Sequence, residues 1–220
     1  MCQESPYFVQ GEDPVTSLSS RVIKRLIDLV GACLLGLLAI PILFIAICAI
    51  LIVDPGPIFF RQRRTGQHGR TFVIMKLRSM RVDADRWLVS FLTENPDAPD
   101  PRIERLAHDP RIIPYIGRFI RRYSIDELPQ LINVLIGDMS FVGPRPLPDY
   151  HLMMLSDEIQ SVRSRVRPGI TGLWQIRNRL SKEVKDIEAC DQEYLNSLSL
   201  KTDLRILYRT VLCVFRGSGV

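Results

Sequence analysis

The sequence predicts a mainly α protein with a small β-hairpin and an N-terminal helix built for a membrane. Three observations carry that class. Leu29 to Val53 contains no charged residue. Two β-like runs flank the turn "TGQHG". Most of the remaining chain has helical periodicity and ends in an amphipathic tail.

Residues 1–20 are polar, hold Pro6 and Pro14, and show no periodicity, so they read as a flexible N-terminal tail. Residues 21–53 form the membrane element. Its uncharged core, "LVGACLLGLLAIPILFIAICAILIV", would make a helix of roughly 37 Å at about 1.5 Å per residue. That is long enough to cross a hydrocarbon core. It begins too far along and is too long for a cleaved signal peptide. Pro41 removes a backbone donor near its middle and predicts a kink. Both flanks are basic: Arg21, Lys24 and Arg25 before, and Arg61, Arg63 and Arg64 after. A spanning helix carries its basic excess on one side. Two basic flanks fit a re-entrant helix that bends at Pro41. A Pro-kinked single span is the alternative, and local sequence does not separate the two.

Residues 54–220 follow as one domain. "DPGPIFFRQRR" is a turn leading into a strand, and "RTFVIMKLRSM" is its hairpin partner. Residues 83–93 read as helix. Pro96, Pro99, Pro101 and Pro110 mark a long irregular loop. Leu128 to Ile136, roughly Pro148 to Val166, and Lys182 to Leu198 read as helices, with "RPGITG" as a loop. The last helix spans Thr202 to Phe215. Lys201, Arg205, Arg209 and Arg216 fall on one face, with Leu204, Leu207, Val211 and Phe215 beside them. That is the pattern of a helix lying in a membrane interface. An amphipathic helix on a soluble core would look similar, but the apolar run upstream favours the interface.

The chain has 220 residues, 29 basic and 24 acidic, for a net charge of +5. The apolar content of 46% allows a packed core and excludes wholesale disorder. The cationic excess suits anionic lipid or phosphorylated substrates. The five cysteines, Cys2, Cys33, Cys48, Cys190 and Cys213, are odd in number and lack C-x-x-C spacing. They read as free thiols in a reducing compartment.

The most informative stretch is "RRYSIDELPQLINVL". Ser124 to Glu127 matches a capping box, S-x-x-E, ahead of an apolar run. Pro129 fits that reading poorly, because proline is best placed at the first helical position. A helix that begins at Pro129 leaves Asp126 and Glu127 just ahead of its positive end, a position suited to Mg²⁺ and phosphate. The surroundings are cationic. Arg118, Arg121 and Arg122 precede the acids, and Arg145 follows in "GPRPLP". Arg163, Arg165, Arg167, Arg177, Arg179 and Lys182 form a run without an acid between Ile159 and Lys182. Arginine forks match phosphate oxygens. Some of these cations serve only to grip lipid. Acids among cations at a membrane suggest phosphoryl transfer, with an aspartate able to attack phosphorus.

The blocks "KRLIDLV", "PGPIFFRQRRTG", "FVIMKLRSM", "SIDELPQLINVLIGDMSFVGPRPL" and "VRPGITGLWQI" resemble the bacterial sugar transferases, small monotopic phosphoglycosyl transferases. The resemblance runs from Lys24 to about Val220. It implies a re-entrant helix kinked at Pro41 and a cytoplasmic, membrane-associated catalytic domain at the bacterial inner membrane. It implies transfer of a sugar-1-phosphate, glucose or galactose type, from a UDP-sugar to undecaprenyl phosphate, with release of UMP. This is the first membrane step of exopolysaccharide, capsule or O-antigen synthesis. Asp126 would be the nucleophile, forming an aspartyl-phosphosugar intermediate. Glu127, with Asp126, would hold Mg²⁺ or Mn²⁺. Lys76, Arg121, Arg145 and Arg167 would bind phosphate. The expected partners are the donor, the lipid acceptor and membrane lipids, with no nucleic acid; a homodimer is allowed.

Two positions depart from the family pattern. Ile40 stands where many members have serine before the kink proline, and Asn178 where a glycine is usual. Two other classes compete with the enzyme: a non-catalytic membrane protein that recruits other enzymes, and a single-span phosphohydrolase of lipid diphosphates. The intact Asp126, Glu127, Arg145 and Lys76 argue against the first. His68, His108 and His151 are scattered and read as surface residues.

Overall fold

The computed structural model describes residues 18–96, 101, 109–177 and 183–217. Of the tail expected over 1–20, residues 1–17 lie outside the described residues, as do the readings of Pro99, His108, Asn178, Arg179 and Lys182, while residues 18–20 are already helical.

Helix α1 spans Leu18–Val53, 36 residues with Pro41 inside it. At about 1.5 Å per residue it is about 54 Å long. Its buried residues are Asp28, Ala32, Ala39, Ala46 and Ile50. These recur at four- and seven-residue steps and form one narrow stripe, and its alanines let neighbouring elements approach closely. Leu37, Leu38, Phe44 and Ile45 lie off the stripe and are exposed.

Both ends of α1 rest on the rest of the chain. Near its start, Lys24 Nζ pairs with Asp203 Oδ2 at 2.5 Å and donates to the Val142 carbonyl at 3.0 Å. Arg25 donates to the carbonyls of Val134 and Leu135. Asp28 Oδ1 accepts from Ser140 Oγ and from the Phe141 amide. Near its end, Ala46 and Ile50 pack with Leu77, Ile113 and Ile120. Just beyond it, Asp54 pairs with Arg78 at 2.8 Å.

Strands β1 (Phe59–Thr65) and β2 (Thr71–Leu77) form the expected antiparallel hairpin, from Phe59 opposite Leu77 to Thr65 opposite Thr71. A 3₁₀ turn, Gln67–Gly69, closes it. The His68 amide donates to the Ser164 carbonyl at 2.7 Å, which docks the hairpin tip on the domain. Helix α2 (Ala84–Glu94) matches the helix read over 83–93. Helix α3 (Ile116–Arg122) was not visible in the sequence pattern. A 3₁₀ turn, Ile125–Gln130, leads into α4 (Leu131–Ile136).

Three differences from the sequence reading have local causes. The helix expected from Leu128 opens as a 3₁₀ turn and becomes α only at Leu131. The helix expected over 148–166 is two, α5 (Asp149–Leu152) and α6 (Asp157–Arg163). Between them Ser156 is extended, and its amide donates to Glu188 Oε1 at 2.6 Å. "RPGITG" is more than a loop. Gly169–Thr171 is strand β4, paired in parallel with β3 (Ser140–Val142). A Cβ on Gly143 or Gly169 would meet the opposite backbone, so the pairing needs glycine at both positions.

Helices α7 (Leu173–Arg177), α8 (Val184–Asn196) and α9 (Leu200–Phe215) complete the domain. The main core joins Ala32 of α1, Phe72 and Ile74 of β2, Val134, Phe141, Tyr194 and Ile206. On α9, Asp203 and Ile206 face inward and Leu207 packs against the core. Leu204, Tyr208, Val211 and Phe215 are exposed beside Arg205 and Arg209. Leu207 is thus a core residue, and Tyr208 joins the outer apolar face. The described cysteines, Cys33, Cys48, Cys190 and Cys213, are free thiols.

Candidate active site

The site grows from the turn between α3 and α4. Ser124 sits in the left-handed region at φ 55, a conformation costly for a residue with a Cβ. Its amide donates to the Arg121 carbonyl, and its own carbonyl accepts from the Glu127 amide at 3.1 Å. Its side chain makes no capping bond, so the capping box is not formed. The turn carries Asp126 and Glu127 on a 3₁₀ segment ahead of α4. Asn133, buried in α4, donates to the Val73 carbonyl at 2.8 Å and fixes α4 against the hairpin.

Glu127 is buried, and two cations close on one of its oxygens. Lys76 Nζ, from β2, lies 3.0 Å from Oε1, and Arg145 Nη2 lies 2.8 Å from the same atom. Glu127 strengthens the charge on Arg145, whose pKa is raised despite burial. Burial lowers the pKa of Lys76, with Glu127 opposing it. The Asp126 carboxyl is raised, first by burial and then by Glu127, while Lys76, Arg121 and Arg145 pull it down. Among the described residues no hydrogen bond is directed to Asp126. Glu127 is clamped; Asp126 is held by field alone.

The sequence-derived residues fall into two groups. Asp126, Glu127, Lys76, Arg145 and Arg121 come together; Arg121 acts electrostatically on both Asp126 and Asp109. Arg167 sits elsewhere. Its surroundings are Arg25 and Asp28 of α1, and burial and Arg25 lower its pKa. From the same run, Arg163 reaches the backbone of Arg145. It is buried, its Nη2 donates to the Arg145 carbonyl at 2.5 Å, and its Nε lies 3.3 Å from Asp191 Oδ2. Asp191, in α8, carried no signal in the sequence, since nothing local ties it to Arg163.

The donor set for a metal is small. Among the described residues no three of His, Cys, Asp and Glu gather as a metal cage. Asp126 and Glu127 supply hard carboxylate oxygens. Mg²⁺ is commonly held by one or two carboxylates together with substrate phosphates, so the pair fits that mode.

Adjacent acids ringed by cations, in a domain that rests on both ends of a long apolar helix, are the equipment of a membrane-associated enzyme that handles phosphorylated substrates. The comparisons agree. Residues 19–217 match the family described as bacterial sugar transferase, and the chain belongs to it. It is 36% identical over 218 residues to the exopolysaccharide production protein ExoY of Rhizobium meliloti, covering 97% of this chain and 96% of that one. It is 40% identical to a UDP-glucose:undecaprenyl-phosphate glucose-1-phosphate transferase of Caulobacter vibrioides, over 90% of this chain and 72% of that protein. It is 38% identical to the undecaprenyl-phosphate galactose phosphotransferase of Salmonella typhimurium, over 91% of this chain but 42% of that longer protein.

Proposed function

We propose that this protein transfers a sugar-1-phosphate from a UDP-sugar to undecaprenyl phosphate and so starts a bacterial exopolysaccharide, capsule or O-antigen chain. The carrying observation is the pairing of a clamped Glu127 with an Asp126 that takes no hydrogen bond among the described residues. An attacking carboxylate needs an oxygen lone pair that no donor occupies.

In this reading an Asp126 oxygen attacks the sugar-side phosphorus. The Asp126 O–P bond forms, the bond to the bridging oxygen breaks, and that oxygen leaves with UMP. An oxygen of the lipid phosphate then attacks the same phosphorus and the carboxylate is regenerated. Lys76, Arg121 and Arg145 offset the charge that builds on the phosphoryl oxygens. Glu127, with Asp126, would hold Mg²⁺ or Mn²⁺, which supplies charge neutralisation on the phosphates. The relatives named for glucose and galactose transfer favour those sugars.

The topology in this reading is re-entrant, with the domain on the cytoplasmic face of the inner membrane. Lys24, Arg25 and Asp28 contact the same domain that Ala46, Ile50 and Asp54 contact. A polar domain held at both ends of one apolar helix is hard to place on two sides of a bilayer. The exposed apolar residues of α1 and of α9 give the domain its lipid contact.

Two measurements test this. Wild type should release UMP from a UDP-sugar, continuously with undecaprenyl phosphate and as a stoichiometric burst without it. Loss of both responses in a folded preparation would sink the reading. For topology, single cysteines near residues 20 and 60 should react with an impermeant label from the same side; labelling from opposite sides would mean a true span.

A further inference from the structure

The guanidinium of Arg145 is held by Glu127, but its backbone needs a different anchor. Arg145 sits in "GPRPLP", between Pro144 and Pro146. Neither proline has an N–H to donate, so the β3–β4 pairing cannot run on through this segment. On its near side, the Gly143 amide donates to the Thr171 carbonyl at 3.0 Å, and the Pro144 carbonyl accepts from the Gly169 amide at 2.9 Å. On its far side, Leu147 is buried against Leu155, Ile159 and Ile187. Between those anchors the Arg145 carbonyl takes Arg163 Nη2 at 2.5 Å.

Arg163 is itself fixed by an acid on another helix. Its Nε lies 3.3 Å from Asp191 Oδ2 of α8, and both residues are buried. As a joint between α6 and α8 this is a poor choice. A buried ion pair can often be replaced by apolar residues with no loss of stability. Here Ile159 and Ile187 already pack the two helices together. Arg163 also keeps one buried nitrogen, Nη1, without an acceptor among the described residues. An apolar pair could do the packing, but it could not donate to the Arg145 carbonyl.

We propose that Arg163 and Asp191 are positioning residues for the transfer. Asp191 orients the Arg163 guanidinium, Arg163 fixes the Arg145 backbone, and the Arg145 side chain is thereby held at Glu127 and at the phosphate that Asp126 attacks. The assignment rests on the transferase reading above and deepens it. Both residues act through Arg145, whose Nη2 lies 2.8 Å from Glu127 Oε1. A misplacement of about 1 Å in a group of this kind can cost about a hundredfold in rate.

The test is a mutant cycle on the full-length protein in lipid nanodiscs, read as UMP release from a UDP-sugar with undecaprenyl phosphate. Arg163→Met alone would strand a buried Asp191, so the deciding variant pairs it with Asp191→Leu. That double variant should keep its Tm within about 3 °C of wild type and lose at least about tenfold in donor kcat/KM. The loss should fall in the same constant, kcat or KM, as the loss in Arg145→Ala. Made in the Arg145→Ala background, the same two changes should cost less than about twofold more, because no guanidinium remains to be positioned. Losses that multiply would overturn the proposal and make the pair a separate structural element or a direct substrate contact. Unchanged kinetics in the folded double variant would also overturn it. Should that variant not fold, Arg163→Lys carries the same cycle, since a lysine keeps the charge for Asp191 but lacks the fork that holds both partners. Hydrogen exchange gives a readout without turnover. It should quicken over residues 143–147 and stay at the wild-type rate over 131–136; equal rates over 143–147 would sink the proposal. If that exchange pattern appears while wild type releases no UMP from any UDP-sugar, the positioning of Arg145 stands and the transferase reading falls.

Discussion

Two buried charge clusters divide this protein, and they look alike in composition. One joins Lys76, Arg145, Glu127 and Asp126. The other joins Lys24, Asp203, Tyr194 and Asp28 at the foot of α1. In the second, Asp203 takes Lys24 at 2.5 Å on one oxygen and the Tyr194 hydroxyl at 3.0 Å on the other. Asp28 Oδ1 takes two donors, and only its Oδ2 lacks a partner among the described residues. That cluster locks α1 to β3 and α9. In the first cluster Glu127 is held in the same way, but Asp126 is not. Burial of charge therefore does not by itself separate the two clusters; they differ in that Asp126, unlike Asp203, takes no hydrogen bond among the described residues, which is what the proposed reading uses.

The largest test of that contrast makes one substitution in each cluster. Asp126→Asn should lower UMP release by at least about a thousandfold, the scale expected when a nucleophile is lost. Its thermal unfolding and membrane association should not change. Asp203→Asn should do the reverse. It leaves Lys24 without its carboxylate and should cost about 2 kcal/mol, less than a fully buried pair because Lys24 is partly exposed. Turnover per folded molecule should stay within about twofold. Equal activity losses in the two variants would dissolve the distinction.

A smaller effect separates clamp from nucleophile. Arg145→Ala removes one of two cations on Glu127 and, in the proposed reading, a group facing the phosphates. A kcat loss of about a hundredfold is expected, with a smaller loss for Lys76→Met, whose charge burial already weakens. If Arg145→Ala changed only the donor KM, Arg145 would be a binding residue alone.

The contrast also bears on what the sequence could convey. The apolar run of α1 and the hairpin were legible because each is defined by neighbours in sequence. Asp126 and Glu127 stood out through Pro129 and the flanking arginines. The pairing of β3 with β4 was hidden, because three-residue strands separated by α5 and α6 carry no periodicity. Arg163 and Arg167 show the limit most clearly. They lie four residues apart in one cationic run, yet one reaches the Arg145 carbonyl and the other faces Arg25 and Asp28. The turn over residues 164–166 and the β3–β4 pairing that follows decide that, and the pairing is not local. Lys76 at Glu127 was expected only through family resemblance, since the hairpin register that places it depends on the whole ladder.

The smallest expected effect concerns Asp191, which supports the Arg145 loop through Arg163. Burial pushes its carboxyl up to about 6, with Arg163 opposing, against an ordinary 3.8. The sign follows from proton binding. Between about pH 4 and 6 the folded state holds a proton that the unfolded state has released. Stability from this group therefore rises as pH falls through 6 and is lost as pH rises above it. From pH 7 to 5 the gain is about 1 kcal/mol, or about 3 °C in Tm for a chain of this size. Asp126 and Asp203 are also raised, so wild type alone would not isolate the effect. Asp191→Asn does, because it removes one titration and keeps the others. Its Tm should rise less than wild type between pH 7 and 5, by about that amount. Parallel Tm curves would mean that Asp191 stays ionised beside Arg163, and that the pair is a full ion pair at both pH values.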